Sequence, residues 1–154
     1  MNINKLSFRF LKLSQEISDS ELRSPNIVVE PSEPTIQKAV KVLQRMNPNY
    51  FIGVRKLVVA PSGQYGHVES GPNKDPAVIN INAQRILQES GGATTGAEAI
   101  IAAACTIAHE KGHVASFDPK IGFQGGESPA EAEESKVRGW IESNRSSLKD
   151  LLGE

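Results

Sequence analysis

The chain has 154 residues, a formal charge of −1, 23% charged and 5% aromatic residues, and a single cysteine. This length suits one domain with one core, and the balanced charge predicts neither nucleic-acid binding nor a charged tail. Arg9 and Lys12 interrupt the apolar run that a signal peptide needs, and no stretch of about 18 apolar residues predicts a membrane span. Because Cys105 has no partner for an internal disulfide, we expect a cytoplasmic protein.

Short β-branched runs in the first half of the chain predict a small sheet. They cover residues 26–30, 54–60 and 77–82, and turn residues bound each run. The third run opens with Asp75-Pro76, and a proline at that place favours an edge strand, where a missing amide costs nothing. Residues 5–18 carry both a strand-like and a helix-like apolar period, and we favour a helix there.

Helices are predicted between and after these strands. Thr35 is expected to cap an amphipathic helix that ends near Asn47, and residues 84–89 predict a short helix. The longest predicted helix runs from Thr95 to Phe117, with a capping-box spacing at Thr95 and Glu98. Its apolar stripe comprises Ala97, Ile100, Ile101, Ala104, Ile107 and Ala108. In such a helix, Cys105 is expected to be a small buried hydrophobe.

The last strong helix begins near Ser128, a good cap, with Pro129 at its first position, and runs to about Asn144. Residues 146–152 predict a weak terminal helix. These elements predict an α+β fold, in which a small mixed sheet with an edge strand packs on the long helix and on a following helix rich in glutamate. The whole chain, 1–154, is expected to be one domain, with residues 1–25 as scaffold or as an N-terminal extension.

The long helix carries the sequence His109-Glu110-Lys111-Gly112-His113 near its C-terminal end. Residues four apart lie one turn apart, so His109 and His113 direct two imidazoles towards one point. Zinc is the expected metal, because it binds neutral imidazole and, in catalytic sites, needs three protein ligands plus a water. Glu110 lies about 100° further round the helix, where its carboxylate can act as a general base for that water. This is the HExxH pattern of metalloproteases.

A glycine-rich loop contains the third histidine. Tyr65 and His67 lie in Gln64-Tyr65-Gly66-His67, where the glycine allows a tight turn. His67 is expected to be an exposed loop residue, with a role as third ligand or as an electrophilic aid beside the metal as the alternative. Tyr65 is an auxiliary candidate on the same loop.

Two histidines rarely hold a catalytic metal alone, so a third donor is expected from another element. The acidic start of the Ser128 helix offers four carboxylates, Glu127, Glu131, Glu133 and Glu134. The residues leave the choice open, because Ser128 and Glu131 also have the spacing of a capping box that would occupy Glu131.

The HEKGH motif, followed after seventeen residues by Glu131-Ala132-Glu133-Glu134-Ser135, resembles the gluzincin metallopeptidases, particularly the small single-domain minigluzincins. Over residues 76–145 this resemblance implies a thermolysin-like catalytic core that binds an extended peptide along an edge strand. Residue by residue, it implies Glu131 as the third ligand, ahead of Glu134 and Glu127, and residue 135 as the position of an aspartate that orients the first histidine.

The chain departs from that pattern at two positions. Lys111 is charged where the family prefers an uncharged residue, so the back of that helix turn is expected to reach solvent. Ser135 cannot supply the carboxylate that fixes an imidazole tautomer.

The sequence therefore supports two alternative functions, which belong to different classes. The first is a zinc-dependent peptidase that binds one zinc ion through His109, His113 and Glu131 and uses Glu110 as its base on a peptide or protein substrate. The second is an inactive, metal-stabilised binding or structural module. Glu110 favours the first, because a purely structural site needs no base.

Overall fold

The computed structural model describes residues 27–90 and 96–154. The helix predicted over residues 5–18 and the cap predicted at Thr95 lie outside these ranges. Within them, no helix has both the length and the apolar character required to cross a bilayer.

Four strands form the main sheet: β1 (Val28–Glu30), β2 (Lys56–Val59), β3 (Gly66–His67) and β4 (Val78–Ile81). The strand order is β1-β2-β4-β3, with β1, β2 and β4 parallel and β3 antiparallel to β4. The strand predicted over 77–82 is therefore internal, and its predicted edge position is wrong. Pro76 precedes the strand and removes no hydrogen bond from it, so it did not require an edge. The edge strand beside β4 is β3, which the sequence predicted as a loop.

Helices α1 (Pro34–Met46), α2 (Ala83–Glu89) and α3 (Ala97–Ala115) pack with this sheet. They join it in a core whose largest members include Ile36, Leu43, Leu57, Ile79, Ile81, Ile100 and Ile107. Glu33, not Thr35, caps α1, because the Glu33 carboxylate accepts from the Ile36 amide at 2.9 Å. Cys105 is 2% exposed within α3, as expected of a small apolar residue. The α+β fold is thus confirmed.

A short hairpin and two further helices follow α3. The hairpin pairs β5 (Phe117–Asp118) with β6 (Gly122–Phe123). Helix α4 (Ser128–Ser143) then returns across α3, and a 3₁₀ turn (Arg145–Leu148) and α5 (Lys149–Leu152) end the chain. Ser128 is already inside α4, and Glu127 holds the cap position, although its side chain makes no capping hydrogen bond.

The crossing of α3 and α4 is a backbone-to-backbone contact at Gly112. A Cβ on Gly112 would lie 2.6 Å from both the Ala130 Cα and the Pro129 carbonyl oxygen. Only a glycine allows helices to approach this closely. The contact sets the first turn of α4 directly beside the HExxH residues of α3.

Candidate metal centre

Helix α3 presents His109 and His113 on one face, with their ring centroids 5.3 Å apart. The carboxylate of Glu127 lies between them. Its Oε1 atom is 2.9 Å from His109 Nε2, and its Oε2 atom is 3.3 Å from His113 Nε2. Glu127 therefore bridges the two nitrogens that a metal ion would bind.

His109, His113 and Glu127 each offer one ligand atom, and the three atoms all lie within 4.8 Å of one another. Two imidazole nitrogens and one carboxylate oxygen at this separation are compatible with a divalent metal ion. The donor set is thus compatible with a metal ion at the helix motif, with one change in the third residue from the predicted set.

That change concerns Glu131, which the resemblance implied as the third ligand. Glu131 is exposed in the first turn of α4, and among the described residues it makes no hydrogen bond or ion pair with either histidine. Its amide instead donates to the Glu127 carbonyl at 2.9 Å. The structure brings Glu127 to the pair because this residue immediately precedes α4, where the close crossing at Gly112 turns the chain towards α3.

Glu134 occupies the other side of His109. Its Oε1 atom lies 2.9 Å from His109 Nδ1, and its Oε2 atom accepts from Arg138 at 3.3 Å. A carboxylate on Nδ1 holds the imidazole so that Nε2 points towards the side of His113 and Glu127, where a metal ion would bind. Glu134 thus occupies the orienting place that the resemblance assigned to residue 135, while Ser135 itself is exposed.

Both ring nitrogens of His109 face carboxylate oxygens, and because an ionised carboxylate only accepts hydrogen bonds, both bonds form together only when both nitrogens carry protons. Burial lowers the pKa of His109, but the hydrogen bonds to Glu134 and Glu127 outweigh it, and the net pKa is raised. The same hydrogen bond to His109 lowers the pKa of Glu127. A metal ion at Nε2 would have to displace a proton from His109.

Glu110 has a different environment from Glu127. It is only 6% exposed, and burial raises its pKa to about 7, although the charge of His109 opposes the shift. Edge strand β3 lies directly over it, since a Cβ on Gly66 would meet the Glu110 Cγ atom at 3.0 Å. A carboxyl group with a pKa near neutrality is suited to accept and return a proton.

Two adjoining cavities share Gln64, Gly66, His109 and Glu110 as a common wall. The first cavity, of about 510 Å³, extends past His113 to Phe123 and Glu127. The second, of about 450 Å³, extends past Thr106 to Tyr65, Arg85 and Glu134. Glu110 and the metal-ligand candidates therefore border open space on the side of β3.

His67 and Tyr65 border these cavities without entering the three-residue donor group. His67 lines the first cavity, and its Nε2 atom lies 3.4 Å from the Glu69 carboxylate. Tyr65 lines the second, with the Arg85 guanidinium 4.5 Å from its ring centroid. The structure therefore does not assign His67 as a ligand, and it leaves both residues in auxiliary positions.

Lys111 projects from the HExxH turn without lining either of these two cavities. Its Nζ atom lies 4.8 Å from the ring centroid of Tyr50, whose hydroxyl donates to Glu133 at 2.7 Å. Lys111 is half-buried, and its ammonium group faces the aromatic ring. The charged residue is thereby accommodated next to the site.

No protein-family model, curated protein or solved structure matches this chain. The chemistry of the candidate centre therefore rests on its own residues and their geometry.

Proposed function

We propose that this protein is a zinc-dependent peptidase. The observation that carries the proposal is the position of Glu110, a nearly buried carboxyl group beside the His109, His113 and Glu127 donor group and on the wall shared by two cavities. Two imidazoles and one carboxylate are a donor set that zinc takes in catalytic sites, with its fourth position left for water or substrate.

Each residue has a distinct role in this proposal. His109, His113 and Glu127 hold the ion, and Glu134 fixes the ring of His109. Zinc, when bound, lowers the pKa of a water and polarises a carbonyl group. Glu110 accepts the proton of the attacking water and delivers it to the leaving nitrogen.

Strand β3 supports a peptide as the substrate. Among the described residues this two-residue strand pairs with β4 alone, so its other edge is available to an extended peptide. Glu110 lies against this strand, because a Cβ added to Gly66 would meet the Glu110 Cγ atom at 3.0 Å. A peptide added at this edge would bring its carbonyl groups to the cavities on either side of Glu110.

The alternative is a metal-stabilised module without activity. A structural site closes all metal positions with protein ligands and needs no base. The open cavities and the position of Glu110 support the enzyme instead.

The test compares the zinc-loaded wild type with Glu110→Gln on an unstructured protein such as casein. The variant keeps the size of the side chain but accepts no proton, so we expect cleavage to fall by about 100-fold or more while zinc content is unchanged. Glu131→Gln, an exposed change on α4, is the matched control and should cleave like the wild type. Equal cleavage by the wild type and Glu110→Gln would overturn the role of Glu110.

A further inference from the structure

A loop of small and polar residues, Ser62 to Tyr65, leads into edge strand β3. The strand has only two residues, Gly66 and His67, and among the described residues it pairs with β4 alone. A strand pair this short has few backbone hydrogen bonds and is marginal by itself. Other contacts must therefore hold the loop if β3 is to keep a fixed place beside Glu110.

Asn82, at the junction of β4 and α2, supplies the first of these contacts. Its side chain is buried and uses both polar atoms. The Oδ1 atom accepts from the Arg85 amide at 3.2 Å, which caps α2, and the Nδ2 atom donates to the Ser62 carbonyl oxygen at 2.7 Å. The backbone amide of Asn82 donates to the Tyr65 carbonyl oxygen at 2.7 Å. Asn82 thus holds the loop at both of its ends.

Arg85, in the first turn of α2, supplies further contacts to the same loop. Its Nη1 atom donates to the Gly63 carbonyl oxygen at 2.7 Å, and its guanidinium carbon lies 4.5 Å from the ring centroid of Tyr65. Arg85 is partly exposed, whereas Asn82 is buried. Because a hydrogen bond lost from a buried group costs more than one lost from a group that water can reach, we expect Asn82 to contribute more.

The position of this loop determines the space beside Glu110. Ser62 Oγ donates to the Gln64 carbonyl oxygen at 3.0 Å and accepts from the Gln64 amide at 3.2 Å. Gln64 and Gly66 belong to the wall that both cavities share. A Cβ on Gly66 would lie 3.0 Å from Glu110 Cγ and 3.1 Å from the Thr106 methyl carbon, so β3 packs on α3 without room for a side chain. A displacement of the loop would therefore alter the wall beside Glu110.

We propose that Asn82 and Arg85 are positioning residues for peptide binding, which hold the loop so that the edge of β3 is fixed beside Glu110 before a substrate binds. Neither residue belongs to the metal-donor group. A peptide that adds to a fixed edge does not have to order the loop, whereas a peptide that adds to a mobile edge binds more weakly by that cost. This inference rests on the proposed function, but the order of the loop can be measured without catalysis.

The first experiment measures amide hydrogen exchange of the zinc-loaded protein by mass spectrometry. Asn82→Ser keeps an oxygen that can cap α2 but loses the donor to Ser62, so exchange over residues 62–67 should be about ten-fold faster than in the wild type. Arg85→Ala should accelerate it about three- to five-fold. Zinc content and exchange over α3 should not change. Gln88→Ala, an exposed change on α2, is the matched control and should exchange like the wild type. Unchanged exchange over residues 62–67 in both positioning variants would overturn the inference.

The second experiment measures kcat and KM on casein for the same zinc-loaded proteins. KM should rise about ten-fold in Asn82→Ser and about three- to five-fold in Arg85→Ala, while kcat is nearly unchanged, because only binding to the edge is weakened. Arg85→Lys retains a donor for the Gly63 carbonyl oxygen but stacks less well on Tyr65, so its KM should lie between those of the wild type and Arg85→Ala. A fall in kcat at unchanged KM would overturn the positioning role.

The two proposals fail in different ways. Faster exchange over residues 62–67 together with an unchanged KM would overturn the positioning role and leave the peptidase in place. Faster exchange without cleavage of casein by any of the proteins, the wild type included, would support the hold of Asn82 and Arg85 on the loop but overturn the peptidase, and with it their role in peptide binding.

Discussion

The two segments that meet at the candidate centre are held in place to different degrees. His109 and His113 belong to a nineteen-residue helix whose neighbouring residues are buried against the sheet and α4. Glu127 precedes α4 and follows Gly125 and Gly126, whose positive φ angles of +81° and +58° form a turn. The side chain of Glu127 is 64% exposed, against 24% for His109. The histidine pair is therefore preformed by its helix, whereas the backbone of Glu127 is placed by the crossing of α3 and α4 and its exposed side chain is held by its contacts with the pair.

The same difference separates the two carboxylates. Burial beneath β3 raises the pKa of Glu110 to about 7, whereas the hydrogen bond to His109 lowers the pKa of Glu127. One chain thus keeps a carboxyl group suited to proton transfer and an ionised carboxylate suited to a metal within one site. The variants below change the histidine pair, the glutamates beside it, and the contact between α3 and α4.

The largest effect is expected from the preformed side. His109→Ala combined with His113→Ala removes two of three donors and should abolish stoichiometric zinc binding, because one carboxylate alone holds the ion weakly. Metal analysis of the purified protein measures this. His67→Ala is the control, since His67 lies outside the donor group, and it should retain one zinc per chain. Full zinc content in the double variant would place the site elsewhere.

A graded loss of zinc affinity is expected when the glutamates near the histidines are replaced. Glu127→Gln should weaken zinc binding by more than about 100-fold, because a neutral amide replaces a charged ligand, and Glu134→Gln by about 10- to 100-fold, because it loses the partner of His109 Nδ1. Glu131→Gln should have no effect. Competition with a zinc chelator ranks the three variants. A larger loss for Glu131→Gln than for Glu127→Gln would restore the ligand that the family resemblance implied.

The residues of the candidate centre differ in whether a local sequence pattern can predict them. The placement of His109, Glu110 and His113 follows from spacing on one helix, which is local geometry, and the structure has both histidines on one face of α3. Glu127 depends on where α4 crosses α3, which is set by a contact between Gly112 and Ala130 that no local pattern contains. Strand β3 was missed for a similar reason, since Gly66 and His67 form a strand only by pairing with β4.

A smaller, pH-dependent effect is expected when Glu110→Gln is compared with the wild type, both free of metal. The raised pKa means that the folded protein holds this proton more tightly than the unfolded chain, so the wild type loses stability as pH rises from about 4.5 to about 7. The variant escapes this loss. Its advantage in free energy of unfolding should be near zero at pH 4 and on the order of 2 to 3 kcal/mol at pH 8. Urea unfolding at both pH values measures the difference.

A matched metal experiment sharpens this result. Zinc beside Glu110 favours the charged carboxylate, so one equivalent of zinc should reduce the advantage of the variant at pH 8. An advantage that is the same at pH 4 and pH 8 would mean that the carboxyl group is not buried as described.

The smallest effect is expected at the contact between the two segments. In Gly112→Ala, the added Cβ would lie 2.6 Å from the Ala130 Cα, so α3 and α4 must separate, which should cost about 2 kcal/mol of stability. Gly139→Ala is the matched control on α4, because nothing lies within 4 Å of its added Cβ, and it should stabilise by about 0.5 to 1 kcal/mol. Both changes give the same gain in helix propensity, so the difference in their urea midpoints isolates the contact. That separation would also move Glu127 away from the histidines. Gly112→Ala should therefore bind zinc more weakly, whereas Gly139→Ala should bind zinc like the wild type. Equal zinc affinity in the two variants would show that Glu127 reaches the histidines independently of the crossing.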